Sequence, residues 1–133
     1  MNKVLKELML DSERWDDPKY YGVVFVHPND KEYLTNELLN TGGCTLHAQR
    51  NILTFENGGQ LEITTLEQHG IVHHNYAGVE ITTLIIDTEA FGKFDGEGFS
   101  RSRVSDVDNT EFIMYMLTRL RSPAECHSRG VIV

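Results

Sequence analysis

The sequence is poor in the residue types that mark several large classes of protein. Its two cysteines, Cys44 and Cys126, show no Cys-x-x-Cys spacing, which favours a reduced pair over a disulfide framework or a zinc ribbon. No run approaches the roughly 20 apolar residues that span a membrane, and no charged segment followed by an apolar one opens the chain. The composition therefore predicts a soluble intracellular protein without a membrane anchor.

Positive charge is also scarce. The 133 residues carry 12 lysines and arginines against 20 acids, which gives a formal net charge of −8. A chain with this balance does not attract nucleic acid as a whole, so any DNA contact is expected to be local or indirect. With 40% hydrophobic residues, the chain has the size and composition of one domain with one modest core.

The first forty residues predict a helix, a strand and a second helix. Apolar residues at helical spacing favour an amphipathic helix within Met1 to Arg14. The apolar run Val23 to Val26 favours a buried strand. Asn29 or Asp30 is expected to cap the second helix, and Gly42-Gly43 is expected to end it.

In the middle of the chain the apolar residues alternate, as they do in strands. Ile52 to Phe55 and Leu61 to Ile63 flank the turn Asn57-Gly58-Gly59, which predicts a β-hairpin. The other predicted elements are a helix from Thr110 to Arg121, a strand from Arg129 to Val133, and surface loops over residues 67–78 and 92–109.

One stretch combines an apolar, β-branched run with an abrupt acidic end: Thr82-Thr83-Leu84-Ile85-Ile86-Asp87. An all-apolar run of this length is typical of a central strand that is covered on both faces. Its carboxylate is then expected at the carboxyl edge of the sheet, where open α/β sheets bind their ligands. In nucleotide-hydrolysing folds an aspartate at this place holds magnesium, because a hard cation prefers oxygen ligands.

Five short segments follow one another in a characteristic order. They are Asp17-Pro18-Lys19-Tyr20-Tyr21-Gly22-Val23-Val24-Phe25, Leu53-Thr54-Phe55-Glu56-Asn57-Gly58-Gly59, Tyr76-Ala77-Gly78, Leu84-Ile85-Ile86-Asp87 and Leu117-Thr118-Arg119-Leu120-Arg121-Ser122. This series resembles the ATPase domain of the large subunit of phage terminase, the motor that drives DNA into a capsid. The last segment is the most specific, because the family carries a similar Arg-Leu-Arg-Ser after its second nucleotide motif.

The resemblance covers roughly residues 1–133 and carries expectations about fold and location. It implies an α/β fold, a partial RecA-like P-loop NTPase core with a mostly parallel sheet, a β-hairpin insertion and flanking helices. Residues 1–133 would form a single incomplete ATPase-like domain, with the loop 92–109 as an insertion. A phage-encoded protein of this kind is expected in the host cytoplasm.

The resemblance also implies a degenerate catalytic site. Asp87 would be the magnesium ligand at the end of the second nucleotide motif. Glu89 lies one place later than the family's catalytic glutamate, because the Asp-Glu pair of the family is Asp87-Thr88 in this chain. Arg119 and Arg121 diverge by about 200° on a helix and cannot both face one partner, so one of them would act at a subunit interface or on DNA phosphate.

The loop that binds phosphate in this family is missing from the sequence. No Gly-x-x-x-x-Gly-Lys-Ser/Thr occurs, so the chain lacks the backbone N–H groups and the lysine that cradle the β- and γ-phosphates. We therefore expect no cofactor on the chain alone, and Mg-ATP only in a completed complex. The leading interpretation is a piece or paralogue of the packaging ATPase that binds a partner subunit or itself without independent hydrolysis.

Two alternatives stay open. In the first, the chain is half of a split ATPase that a second chain with the phosphate loop completes. In the second, it is a small metal-dependent enzyme that uses a histidine-rich loop. His69, His73 and His74 lie close together in the sequence, with Glu67 or His47 as a third ligand, although such loop histidines are more often solvated.

The chain end suggests how a partner would bind. Gly130-Val131-Ile132-Val133 is apolar and contains no lysine or proline, which are residues that protect the edge of a sheet from pairing. The resemblance places the strand near Val23, the strand that ends at Asp87 and this strand side by side. Residues 130–133 are then an exposed edge that predicts self-association or capture of a partner strand.

Overall fold

A mixed six-stranded sheet, mostly parallel and flanked by helices, organises the chain. The computed structural model describes residues 2–41, 43–47, 52–65, 80–91, 113–121 and 127–133. The strands are β1 (Tyr21–Phe25), β2 (Cys44–His47), β3 (Ile52–Phe55), β4 (Gln60–Thr64), β5 (Thr83–Ile86) and β6 (Arg129–Ile132). The helices are α1 (Lys3–Leu10) and α2 (Pro28–Asn40), with 3-10 turns at Ser12–Arg14 and Thr88–Phe91 and helical residues at 113–117.

The strand order is β2-β3-β4-β1-β5-β6. Strands β4, β1, β5 and β6 run parallel to one another, whereas β2 and β3 are antiparallel to their neighbours. The four parallel strands therefore share one carboxyl edge and one amino edge. This arrangement confirms the predicted α/β class with a mostly parallel sheet and a hairpin.

Each face of the sheet has its own hydrophobic core. Helices α1 and α2 cover one face, where Leu8 and Leu34 pack with Val24 and Ile85. The helical residues 113–117 cover the other face, where Met116 packs with apolar side chains of β1 and β5. All four residues of β5 are buried, which confirms the prediction of a central strand covered on both sides.

Local sequence explains where the helices begin. The Asn2 side chain accepts hydrogen bonds from Val4 N–H at 2.7 Å and Leu5 N–H at 3.2 Å, and so caps α1. Helix α2 starts with Pro28, whose fixed φ suits the first helical position. Its cap is the His27 imidazole, which accepts from Asn29 N–H. The expected caps, Asn29 and Asp30, lie inside the helix instead, because Pro28 moves the helix start upstream.

The hairpin is confirmed at its predicted turn. Strands β3 and β4 pair in antiparallel register, and Gly58 in the turn has a φ of +99°, a conformation that side chains with a Cβ rarely adopt. Its neighbour Gly59 lies so close to backbone oxygens that an added Cβ would be 2.5 Å from Trp15 O. The two glycines therefore permit both the turn and its contact with the segment before β1.

The sequence analysis missed one strand, misplaced the end of one helix and predicted two loops that fall outside the described residues. Strand β2 was not predicted, because its residues are mostly exposed and show no apolar alternation. The predicted helix over 110–121 is helical only at 113–117 among its described residues, since Leu120 leaves the helix to form a parallel bridge with Ile81. The predicted loops 67–78 and 92–109 lie outside the described residues.

Candidate functional site at the carboxyl edge of the sheet

The connections that leave β1 and β5 cross the sheet in opposite directions. After β1 the chain continues through α2 toward β4, whereas after β5 it continues through residues 113–117 toward β6. The two connections lie on opposite faces of the sheet. A crevice opens at the carboxyl ends of two strands where their connections diverge in this way, and open α/β sheets bind ligands there.

Asp87 lies at this point, directly after β5. Its backbone N–H donates to Phe25 O of β1 at 2.9 Å, which fixes the residue at the carboxyl ends of both strands. The side chain is 1% exposed, and its Oδ1 accepts a hydrogen bond from Glu89 N–H at 2.9 Å. The same oxygen is 3.1 Å from Lys3 Nζ. The carboxylate is therefore buried, oriented and paired with one cation.

Two further acids approach Asp87. Asp30 lies in the first turn of α2, after β1, and Glu89 lies in the 3-10 turn after β5. One carboxylate oxygen from each of Asp30, Asp87 and Glu89 lies within 4.8 Å of the others. Three carboxylates at this spacing suit a hard divalent cation such as Mg²⁺, which prefers oxygen ligands and also keeps several waters.

Lys3 is the cation that the chain itself brings to these acids. It is the first residue of α1, and its side chain is 45% exposed. The ion pair with Asp87 places the N-terminus of α1 at the carboxyl edge of the sheet. Among the described residues, the pair of Lys3 with Asp87 is the one ion pair recorded for the three carboxylates, so within that part of the chain the cluster keeps an excess of negative charge that a further cation would neutralise.

The two predicted arginines lie elsewhere. Arg119 and Arg121 flank Leu120, which bridges Ile81 just before β5 and thus at the amino edge of the sheet. The Arg119 guanidinium lies 5.4 Å from the ring centroid of Tyr115, and Arg121 donates to Leu120 O at 2.8 Å. The structure therefore brings Asp87 and Glu89 together and leaves both arginines at the opposite edge. Their predicted role at an interface or on DNA stays a prediction.

The amino edge carries a charge cluster of a different kind. Asp11 follows α1, is 1% exposed, and accepts hydrogen bonds at 3.1 Å from both Arg14 and Arg129. The Tyr20 hydroxyl donates to its second oxygen at 2.9 Å. Arg129, the first residue of β6, also pairs with Glu7 of α1. These contacts join α1, the segment before β1 and β6 through buried or half-buried groups.

Burial changes the acid strength of one member of this cluster. The pKa of the Tyr20 phenol is raised far above its ordinary value, first because burial disfavours the phenolate and second because the Asp11 charge is adjacent. The phenol therefore stays a hydrogen-bond donor to Asp11 at every physiological pH.

Of the five residues of the histidine-rich metal site hypothesis, His47 lies among the described residues. His69, His73, His74 and Glu67 lie outside the described residues. His47, the fifth residue of that hypothesis, is exposed at the end of β2. In the part of the chain that the structure describes, the acids Asp30, Asp87 and Glu89 form a metal-sized group and His47 is not a member of one.

Sequence reasoning missed Asp30 and Lys3. Asp30 carried a partial signal, because an acid in the first turn after a buried strand lies at the carboxyl edge of a parallel sheet. Lys3 carried none, since nothing in the sequence placed the start of α1 beside the end of β5. Asp11, Arg14 and Arg129 were likewise not recognised as one cluster.

Comparisons with known proteins add no family. No protein-family model, no curated protein and no solved structure matches the chain. Among the helices of the described ranges, none is both long and apolar enough to cross a membrane.

Proposed function

We propose that this chain is a terminase-like phage protein, a piece or paralogue of the DNA-packaging ATPase that does not hydrolyse ATP by itself and acts by binding a partner subunit or a second copy. Residues 1–133 form a single incomplete ATPase-like domain with a RecA-like core. The observation that carries the proposal is the position of Asp87, buried at the carboxyl end of β5 where the connections diverge.

The contacts of Asp87 support binding without turnover. Its Oδ1 already pairs with Lys3 and accepts from Glu89 N–H. A magnesium ion at this oxygen would have to displace Lys3 or compete with it for the same charge. The phosphates would need N–H and cationic donors, and the 133 residues contain no Gly-x-x-x-x-Gly-Lys-Ser/Thr loop to provide them.

ATP turnover by the purified chain tests this proposal. We expect phosphate release no faster than that of the Asp87→Asn variant, and no heat of Mg-ATP binding in calorimetry. Glu13→Gln is the matched control, because Glu13 is an exposed acid remote from the cluster. Turnover that survives in Glu13→Gln and disappears in Asp87→Asn would overturn the proposal.

A second candidate is the half-site of a split terminase ATPase, which a partner carrying the phosphate loop completes. The grouping of Asp30, Asp87 and Glu89 within 4.8 Å favours it, because these oxygens suit the Mg²⁺ of Mg-ATP. Lys3 would then release Asp87 when the metal binds. In this version Asp87 would hold the magnesium and Glu89 would orient the attacking water.

Mixing experiments test the half-site. The partner would be a phosphate-loop ATPase whose own strand-end acids are replaced by alanine. Turnover in the mixture that is lost with Asp87→Asn or Glu89→Gln, and kept with Glu13→Gln, is the expected result. A mixture that co-sediments and stays inactive would rule out the half-site and leave the binding role.

Location and DNA contact follow from the same proposal. A phage packaging component acts in the host cytoplasm. The net charge of −8 opposes direct DNA binding, so association with DNA would run through the partner, with Arg119 or Arg121 at that interface.

A further inference from the structure

In the part of the chain that the structure describes, the outer side of β6 has no neighbouring strand. Strand β6 is the last strand in the order, and among the described residues only β5 pairs with it. Gly130 and Ile132 are both exposed, Ile132 at 49%. The strand has no lysine, proline or bulge that would discourage pairing along this side.

The backbone of β6 shows which groups are available. Arg129 N–H donates to Thr82 O at 2.8 Å and Val133 N–H donates to Ile86 O at 2.9 Å, both toward β5. Backbone groups alternate in direction along a strand. The N–H and C=O groups of Gly130 and Ile132 therefore point away from β5, toward the outer side of β6.

Helix α1 runs from the carboxyl edge of the sheet to the amino edge. Its first residue, Lys3, pairs with Asp87 at the carboxyl edge. Asp11, directly after the helix, bonds Arg129 at the start of β6 and Tyr20 just before β1. The helix is thus antiparallel to the strands and leads into β1, which is the geometry of the helix in a strand–helix–strand crossover.

The handedness of crossovers then defines where a strand before α1 would lie. Helix α2, on the same face as α1, carries the chain from β1 to β2, which runs parallel to β1 and lies on the β4 side of it. Crossovers between parallel strands are almost always right-handed, so two of them on one face move in the same direction across the sheet. A strand that feeds α1 therefore lies on the β5 side of β1. Among the described strands, the first position without an occupant on that side is beside β6.

We infer that a strand of a partner polypeptide pairs with β6 at this edge, parallel to it, with its carboxyl end beside Lys3 and Asp87. The partner strand is extended and apolar, because its neighbours Val131 and Val133 are apolar and its faces would continue the two cores. It bonds the free backbone groups of Gly130 and Ile132. This inference deepens the proposed function by naming the surface and the direction of the partner.

A second copy of the chain is a distinguishable occupant. Two β6 edges related by a two-fold axis perpendicular to the sheet would pair in antiparallel register. Such pairing would not place a carboxyl end beside Lys3, and it would depend on protein concentration. The net charge of −8 on each copy also opposes it.

Supplying the strand within the chain tests the inference, because linkage raises its effective concentration. The full chain would be extended before Met1 by a valine–threonine strand of about five residues and a glycine–serine loop of about five residues. The control extension has the same length and contains only glycine and serine. We expect exchange of the Gly130 and Ile132 amide hydrogens to slow by roughly tenfold or more with the strand extension alone.

Two variants make the test specific. Ile132→Pro removes one outward N–H and keeps the bonds to β5, so it should restore fast exchange at Gly130. Ile132→Thr keeps that N–H and should leave the protection in place. Equal exchange rates of the Gly130 and Ile132 amide hydrogens in the strand-extended and the control-extended chains would overturn the inference. So would protection in the unextended chain that rises with protein concentration, which would assign the edge to a second copy.

The readout involves no nucleotide. Failure of the ATP experiments would therefore leave the strand position intact, whereas failure of the exchange experiment would leave the proposed function without this mode of partner binding.

Discussion

The two edges of the sheet carry charge clusters of opposite design. At the amino edge, Asp11 and Glu7 face Arg14 and Arg129, and the Tyr20 hydroxyl completes the bonds of Asp11. At the carboxyl edge, Asp30, Asp87 and Glu89 form the group, and among the described residues its one recorded ion pair joins Asp87 to Lys3, whose side chain is 45% exposed. The first cluster is balanced and internally bonded, whereas the second keeps an excess of negative charge.

This difference indicates that the amino-edge cluster stabilises the fold, whereas the carboxyl-edge cluster is suited to bind a ligand. A buried carboxylate with two guanidinium partners and a phenol needs no ligand, and it joins elements distant in sequence. A group of carboxylates paired with one half-exposed lysine is satisfied further when a divalent ion binds. The amino edge therefore holds the fold together, and the carboxyl edge is where we place the ligand. Variants at the two edges should differ accordingly.

The largest expected effect is at the amino edge. Asp11→Ala leaves Arg14 and Arg129 without their shared partner, and breaking a buried charge cluster costs about 3 kcal/mol. Urea unfolding would measure the change in the free energy of unfolding. Asp16→Ala is the control, because Asp16 is exposed. A loss below about 1 kcal/mol, the scale of a surface pair, would contradict the structural role of this cluster.

Tyr20→Phe should have an intermediate effect that depends on pH. Loss of the bond to Asp11 should reduce stability by about 1.5 kcal/mol near neutral pH. The pKa of Tyr20 is raised in the folded state, so above pH ~10 the unfolded chain loses the proton while the folded chain keeps it. This contribution is present below that pH and falls by about 1.4 kcal/mol per pH unit above it.

Urea unfolding at several alkaline pH values would check this second prediction. The wild-type stability should fall more steeply with pH than that of Tyr20→Phe. Tyr33→Phe is the control, because Tyr33 is 45% exposed, and its slope should match the wild type. Equal slopes in wild type and Tyr20→Phe would show that Tyr20 ionises freely in the folded protein.

The smallest expected effect is at the carboxyl edge. Lys3→Met removes the cation that competes for Asp87, so Mg²⁺ should stabilise this variant more than the wild type. The gain is about 1 kcal/mol when Mg²⁺ is present at about five times its Kd. Thermal unfolding with MgCl₂ or with NaCl at equal ionic strength would measure it. Lys6→Met, at an exposed position of the same helix, should show no gain.

Sequence reasoning predicted the most regular features of the sheet. The apolar run of β5 with its terminal Asp87, the hairpin at Gly58, and the edge position of β6 were all predicted, and the described sheet confirms them. The first two depend on a local pattern, namely an uninterrupted apolar run and a glycine turn between alternating residues, whereas the edge position of β6 came from the sheet order that the resemblance implies.

The parts that were missed depend on pairing between distant segments. Lys3 and Asp30 lie beside Asp87 only because the first turns of α1 and α2 pack at the carboxyl end of β5. Local periodicity does not encode that packing. The helix predicted through Arg121 was wrong at its end because Leu120 pairs with Ile81. In that case tertiary pairing overrides a helical pattern that the sequence carries in full.

The position of a bound divalent cation tests the comparison of the two edges most directly. Mn²⁺, a paramagnetic ion with similar oxygen ligands, would be titrated into Lys3→Met while amide signals are followed by NMR. We expect the signals of Asp30, Thr88 and Glu89 to broaden first, and those of Asp11 and Arg129 to stay sharp. Asp87→Asn in the same background should abolish the early broadening. Broadening that begins at the amino edge, or equally at both edges, would contradict the assignment of the carboxyl edge as the ligand site.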